Sequence, residues 1–164
     1  MSAVVVDTNV AIVANGRTPQ AGPACVINCI DALARARSQG RIILDNLGRI
    51  LQEYRRHLSA KGQPGVGDAF FKWIWDNQGN AAHCEIVEIH PRNGDEDYAE
   101  FPAAQELAGF HRKDRKFVAV ALASKSNPEI LNAVDQDWWD YRSELAGHGL
   151  RITFLCPGQF QGGS

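Results

Sequence analysis

The chain has 164 residues, of which 45% are hydrophobic and 22% are charged, and its formal net charge is −2. These values fit one globular domain with a substantial core. The slightly acidic balance excludes a protein that coats nucleic acid through a broad basic surface. No apolar run approaches the ~18–20 residues that cross a bilayer, and the first residues lack the pattern of a signal peptide. We therefore expect a cytoplasmic protein with no membrane association.

Short apolar runs alternate with helical patterns along the chain. The apolar runs cover 3–6, 41–44, 84–89, 130–134 and 151–155. Helical spacing of apolar residues occurs at 23–39, 46–60, 67–78, 113–124 and 138–147, and polar loops occupy 15–22 and 91–97. Such alternation predicts a parallel sheet covered by helices on both faces. Residues 1–156 are expected to form one domain, and the Gly- and Gln-rich residues 157–164 a flexible tail.

The four cysteines are Cys25, Cys29, Cys84 and Cys156, and none forms a CxxC pair. A zinc site needs closely paired ligands with a second pair elsewhere. Cys25 and Cys29 would share one helix face, but the chain offers them no convincing second pair. We therefore expect reduced, partly buried thiols that pack as small apolar side chains.

Two aspartates follow predicted strands directly. Asp7 closes the apolar run at 4–6, and Asp135 closes the run at 130–134. Ligands of open α/β sheets bind outside the carboxyl ends of the strands, so both side chains are expected at one sheet edge. A helix N-cap is an equally good role for each of them taken alone. Asp137, two residues later, is an alternative site residue. We favour Asp135, because Asp135 is the residue that ends the apolar run.

Two further acids belong to predicted helices. Asp114 opens the run DRKFVAVAL and shares the apolar helix face with Val118, whereas Arg115 and Lys116 are expected on the solvent side. Glu53 lies on the flank of an apolar helix stripe. The structural alternative for Glu53 is an ion pair with His57, four positions later. Gathered carboxylates would repel one another and take up protons unless a cation neutralised them. Hard oxygen ligands suit Mg²⁺ or Mn²⁺.

The segments VVVDTNV, LQEYRRHL, HRKDRKFVAVAL and ILNAVDQDWW together resemble the PIN-domain ribonuclease family. The resemblance extends from about residue 4 to residue 155. It implies a three-layer α/β/α sandwich with a central, mostly parallel sheet of about five strands, and a metal-dependent endoribonuclease. The implied catalytic residues are Asp7, Glu53, Asp114 and Asp135. The implied ligands of Mg²⁺ or Mn²⁺ are Asp7, Asp114 and Asp135.

Thr8 and Asn9 would shape this site by hydrogen bonding. Many small members of the family are toxins of bacterial toxin–antitoxin pairs, the VapC type. Their properties imply RNA as the substrate, an antitoxin protein whose tail blocks the site, and a homodimer.

Three residues are predicted to bind the substrate. Arg112 and Lys116 would contact phosphates, and Trp138 would stack on a base. The structural alternatives are a solvated helix face for Arg112 and Lys116 and packing against the sheet for Trp138. A non-catalytic PIN-like interaction module is the competing function. An aspartyl phosphatase is disfavoured, because its second acid would stand where Asn9 is found.

Overall fold

The computed structural model describes residues 2–94 and 96–160. Five parallel strands form a single sheet in the order β3-β2-β1-β4-β5. They are β1 (Ser2–Val6), β2 (Gly40–Asp45), β3 (Cys84–Val87), β4 (Glu129–Asn132) and β5 (Arg151–Phe154). The α-helices in these ranges are α1 (Thr8–Ala14), α2 (Pro23–Gln39), α3 (Arg49–His57), α4 (Val66–Asn77), α5 (Arg115–Ala123), α6 (Gln136–Asp140) and α7 (Arg142–Gly147). The predicted α/β class is confirmed: the architecture is a three-layer α/β/α sandwich, and every strand pair is parallel.

The central strands consist of continuous apolar runs, as expected of strands that helices cover on both faces. Val5 and Val6 of β1 and Ile42 to Leu44 of β2 have no exposed surface. Helix α1 packs against α2 and α4, and α5 packs against β1 and β2. This layered burial fixes the positions of the strand ends, from which the polar side chains of the site project.

The strand order places a crevice between β1 and β4. The chain proceeds outward from β1 through β2 to β3 and then returns to the other side of β1 with β4 and β5. Ligands of open parallel sheets bind where the order reverses in this way. Asp7 follows β1 and Asp135 lies three residues after β4, so the topology brings both chain segments to this crevice.

Several helix boundaries differ from the predicted ones. Helix α1 was missed, although Asp7 is an N-cap before an apolar run. Helix α3 begins at Arg49 and not at residue 46, because Gly48 adopts a left-handed φ of 75°. The carboxylate of Asp45 nevertheless accepts hydrogen bonds from the backbone N–H groups of Arg49 and Ile50. The predicted helix 138–147 is two short helices that meet at Tyr141.

The prediction of reduced cysteines is wrong for two of the four. Cys25 of α2 and Cys156 form a disulfide across a sequence separation of 131 residues. Cys29 and Cys84 are free thiols in the core, where burial raises the pKa of Cys29 to about 12 and that of Cys84 to about 11. Sequence spacing could not reveal the pair, because its partners come from opposite ends of the chain.

The described part of the chain continues after β5 as far as residue 160. It makes a 3-10 turn at Pro157–Gln159, and the ring of Phe160 stacks on Trp139 with the two centroids 4.7 Å apart. Residues 157–160 therefore contact the domain, the flexible tail stays a prediction, and residues 161–164 fall outside the described part of the chain. No helix in the described part of the chain has the length and apolarity to cross a membrane.

Candidate metal centre

The structure brings Asp7, Asp114 and Asp135 together at the crevice between β1 and β4. One carboxylate oxygen from each lies within 4.8 Å of the other two. The three residues come from distant segments of the chain and face an open pocket of about 400 Å³. The other residues that line this pocket are Thr8, Asn9, Ile12, Glu53, His57, His111, Lys113 and Asp137.

Asp7 is both the N-cap of α1 and a member of the cluster. Its Oδ1 accepts hydrogen bonds of 3.1 Å from the backbone N–H and from the side-chain amide of Asn9. Its Oδ2 is buried and has no hydrogen-bond partner within the described ranges. A buried carboxylate oxygen without a partner loses the stabilisation that water would give it. The position of Oδ2 therefore fits a ligand atom for a cation.

Asp135 is likewise both a helix N-cap and a member of the cluster. It caps α6, and its Oδ1 accepts a hydrogen bond of 3.0 Å from the backbone N–H of Asp137. The capping role and the clustering role, which the sequence left as alternatives, are thus both present at Asp7 and at Asp135.

The three carboxyl groups hold their protons unusually strongly in the metal-free protein. Burial, followed by repulsion from Asp135 and Glu53, raises the pKa of Asp7 to about 8. Burial and repulsion from Asp7 and Asp135 raise the pKa of Asp114 to about 9. Burial also raises the pKa of Asp135, although hydrogen bonds with the backbone of Asp137 and with the side chain of Asp114 oppose the shift. A bound cation would remove this penalty, because it would compensate the negative charge at the point where it accumulates.

A 3-10 turn at Arg112–Asp114 positions the third acid at the start of α5. Asp137 holds this turn, since its Oδ2 accepts a hydrogen bond of 2.9 Å from the backbone N–H of His111. Asp137 lines the pocket but does not belong to the group of three acids whose oxygens converge. The geometry therefore favours Asp135 as the last acid of the cluster and gives Asp137 a positioning role.

This difference leads to a prediction. Asp135→Asn should weaken Mn²⁺ binding more than about 100-fold, because loss of residues behind the ligands already costs 10–100-fold in metal proteins. Asp137→Asn should lose affinity only within that 10–100-fold range. Titration calorimetry with Mn²⁺ measures both variants side by side. Equal losses, or a greater loss for Asp137→Asn, would contradict the assignment of Asp135.

Glu53 lies beside the cluster and is held by two other side chains. Its Oε1 is 2.6 Å from the ammonium Nζ of Lys116, and its Oε2 accepts a hydrogen bond from the hydroxyl of Thr8. The structural alternative, a pair with His57, is not the contact that forms. Lys116 consequently supplies a fixed positive charge next to the converging acids.

The expectation that Arg115 and Lys116 face solvent is wrong. Both are buried, with 6% and 8% of their surface exposed. Arg115 Nη1 lies 3.1 Å from Asp97 Oδ1, and its other nitrogens donate to the carbonyl groups of Ala108 and Phe110. These partners come from the segment between β3 and α5, so helix spacing alone could not indicate them.

Two of the three predicted substrate-binding residues are inaccessible to a substrate. Trp138 is fully buried, with its ring centroid 5.2 Å from that of Phe110, and cannot stack on a base. Lys116 is buried, and its ammonium donates to Glu53 and to the carbonyl group of Lys113 and not towards the solvent. Arg112 is exposed and lines an adjacent depression, so its role remains a prediction.

From the sequence, His57 is expected to have no role in the site beyond a pair with Glu53. His57 is exposed at the pocket beside Glu53. Residues four apart on a helix share a face, so its spacing from Glu53 was the available signal.

Comparisons with protein-family models, curated proteins and solved structures find no match to this chain. The fold and the site thus define the class of protein on their own: a parallel α/β/α sandwich with clustered carboxylates at the point where the strand order reverses.

Proposed function

We propose that the protein is a PIN-type endoribonuclease that hydrolyses RNA phosphodiester bonds with Mg²⁺ or Mn²⁺. The observation that carries the proposal is the convergence of Asp7, Asp114 and Asp135 within 4.8 Å of one another. Repulsion disfavours the gathering of three buried or half-buried acids in one crevice, and a bound cation would offset that repulsion. The resemblance of the sequence to PIN-domain ribonucleases supports RNA as the substrate.

The donor set agrees with a hard divalent cation. All three residues offer oxygen, which Mg²⁺ and Mn²⁺ prefer, and no nitrogen or sulfur ligand accompanies them in the group. When bound, such an ion lowers the pKa of a water molecule and stabilises negative charge on phosphoryl oxygens.

The remaining residues of the site orient the acids and attract the substrate. Thr8 and Lys116 fix the carboxylate of Glu53 at the wall of the pocket. Asn9 holds Oδ1 of Asp7 and, through its own Oδ1, the backbone N–H of Ala133 after β4. Lys113 also lines the pocket, where its ammonium would attract the phosphates of RNA and offset their repulsion from the acids.

Purified protein and end-labelled single-stranded RNA test the proposal directly. We expect cleavage with Mg²⁺ or Mn²⁺ and none with excess EDTA. Mn²⁺ at about 100 times its dissociation constant should also raise the free energy of unfolding by about 2.7 kcal/mol. Absence of both cleavage and metal stabilisation would refute the proposal and favour a non-catalytic interaction module. Cleavage that EDTA does not reduce would equally contradict a metal-dependent mechanism.

A toxin role, with an antitoxin that blocks the pocket and a homodimeric state, stays a prediction from the family resemblance. The cytoplasmic location likewise stays a prediction. The Cys25–Cys156 disulfide is a feature that favours an oxidising compartment, because such bonds are rare in the cytosol.

A further inference from the structure

A second surface adjoins the metal centre on the outer side of α3 and α4. Helix α3 directs Glu53 and His57 into the pocket of the acids, and its exposed residues Gln52, Arg55 and Arg56 line a separate shallow depression of about 380 Å³. Trp75 of α4 lies beside it, with the guanidinium carbon of Arg55 5.7 Å from the ring centroid. We call Gln52, Arg55, Arg56 and Trp75 the α3–α4 patch.

Trp75 is a large aromatic residue with 43% of its surface exposed. Its inner edge is fixed, because the ring packs edge-to-face on Phe71 at 6.1 Å and Phe71 packs in turn on Tyr54. The hydroxyl of Tyr54 donates a 2.6 Å hydrogen bond to the carbonyl of Val6, at the end of β1. The ring is therefore held in place through contacts that lead back to the strand preceding Asp7.

The other three tryptophans are less exposed than Trp75. Trp138 is fully buried. Trp139 is stacked between the guanidinium of Arg142 and the ring of Phe160. Trp73 is half-buried against Phe70 and His83. Trp75 is thus the most exposed of the four tryptophans, and a ligand could cover the part of its ring that Arg55 leaves open.

The charges of the patch suit a polyanion with unpaired bases. Arg55 and Arg56 are exposed and have no carboxylate partner among the ion pairs of the described residues. The nearest acid in sequence to Trp75, Asp76, is paired with Lys72 at 2.6 Å. Arginines beside an aromatic platform are the combination by which proteins bind single strands, through phosphate contacts and base stacking.

We propose that the α3–α4 patch binds single-stranded RNA beside the scissile phosphate. One base stacks on Trp75, Arg55 and Arg56 contact neighbouring phosphates, and the strand continues past His57 to the acids. This inference rests on the proposed ribonuclease function and adds the position and the single-stranded form of the substrate. A duplex would not fit the patch in this way, because its bases are stacked on one another and their faces are covered.

The test measures binding separately from cleavage. The full chain in EDTA is titrated against a fluorescently labelled single-stranded RNA of mixed sequence, and anisotropy reports the affinity. Trp75→Ala should weaken binding on the order of tenfold, whereas Trp75→Phe should retain most of the affinity. In Arg55→Ala/Arg56→Ala, the slope of log affinity against log salt should fall by about 0.7 for each phosphate that the variant no longer binds.

A matched control uses two exposed cations near the opposite edge of the sheet. Arg35 lies by the starts of β1 and β2, and Lys125 lies in the turn before β4. Arg35→Ala/Lys125→Ala should bind RNA as the unaltered protein does. RNA should also quench part of the tryptophan fluorescence, and Trp75→Phe should remove that part. Thermal unfolding of every variant shows that each is folded before binding is compared.

The outcomes separate this proposal from the ribonuclease proposal. Unchanged affinity in the Trp75 and arginine variants, equal losses in the control variant, binding of duplex RNA as strong as that of the single strand, or no RNA binding by the unaltered protein would each overturn the patch. Selective loss of affinity in the patch variants supports it, even if the protein shows no metal-dependent cleavage. In that event the patch stands as an RNA-binding site and the catalytic proposal fails alone.

Discussion

Asp7→Asn is expected to abolish metal-dependent RNA cleavage while the fold remains intact. Asparagine keeps an acceptor oxygen for the backbone N–H of Asn9, so the N-cap of α1 is preserved. The substitution removes the negative charge at the partnerless oxygen Oδ2, which the proposal assigns to the cation. Loss of residues behind a metal ligand already costs 10–100-fold, so loss of the ligand itself should reduce the cleavage rate more than about 100-fold.

The measurement compares initial cleavage rates of the variant and the unaltered protein in Mn²⁺, with unfolding curves recorded for both. Asp31→Asn is a matched control, since it makes the same chemical change on the exposed side of α2. Full activity in Asp31→Asn shows that the position of the substitution, and not the change of charge in general, governs the rate. A cleavage rate in Asp7→Asn within tenfold of the unaltered protein would contradict the proposed site.

The parallel sheet and the three converging acids could be predicted because each depends on local sequence patterns. Apolar runs that alternate with helical spacing indicate a sheet covered on both faces. A carboxylate at the end of such a run lies at the carboxyl edge of the sheet whatever the later packing is. Asp7 and Asp135 therefore came from the pattern itself, and the apolar helix face brought Asp114 to the same edge.

The residues that were predicted wrongly are those whose environment depends on a distant partner. Lys116 is a charged residue in the first turn of a helix, and only its pairing with Glu53, 63 residues away in sequence, allows it to be buried. Arg115 is buried by partners in the segment between β3 and α5. Trp138 offered two roles in the sequence, and only the position of Phe110 decides for packing. No periodicity contains such information.

The clustered acids also destabilise the metal-free fold at high pH. The pKa of Asp7 is raised to about 8 and that of Asp114 to about 9 from an ordinary value of 3.8. At pH values between the unfolded and the folded pKa, Asp7 and Asp114 keep their protons in the folded protein but have lost them in the unfolded chain. The contribution of these two acids to the stability of the metal-free protein therefore falls as the pH rises from about 4 to about 9. The loss is complete above the folded pKa values and absent below the unfolded ones.

Asp114→Asn is accordingly expected to stabilise the metal-free protein near pH 9. The amide replaces a group whose ionisation is opposed by burial and by Asp7 and Asp135. One pKa unit corresponds to about 1.4 kcal/mol, so even a shift of two units would yield about 3 kcal/mol. For a domain of this size that gain should raise Tm by about 6–12 °C. Near pH 4 the variant and the unaltered protein should unfold at similar temperatures.

Asp68 provides a control of opposite sign. It is buried, but hydrogen bonds from the backbone N–H groups of Ser59 and Gly65 outweigh burial and lower its pKa. Asp68→Asn should therefore destabilise the protein at neutral pH, and its difference in stability from the unaltered protein should shrink as the pH falls through the lowered pKa.

Saturating Mn²⁺ should make Asp114→Asn less stable than the unaltered protein, since only the unaltered protein gains the full stabilisation by the cation. If Asp114→Asn lowers Tm at pH 9 in EDTA, as Asp68→Asn does, then the acids do not repel one another at a shared site, and the cation that the proposed function requires has no electrostatic reason to bind there.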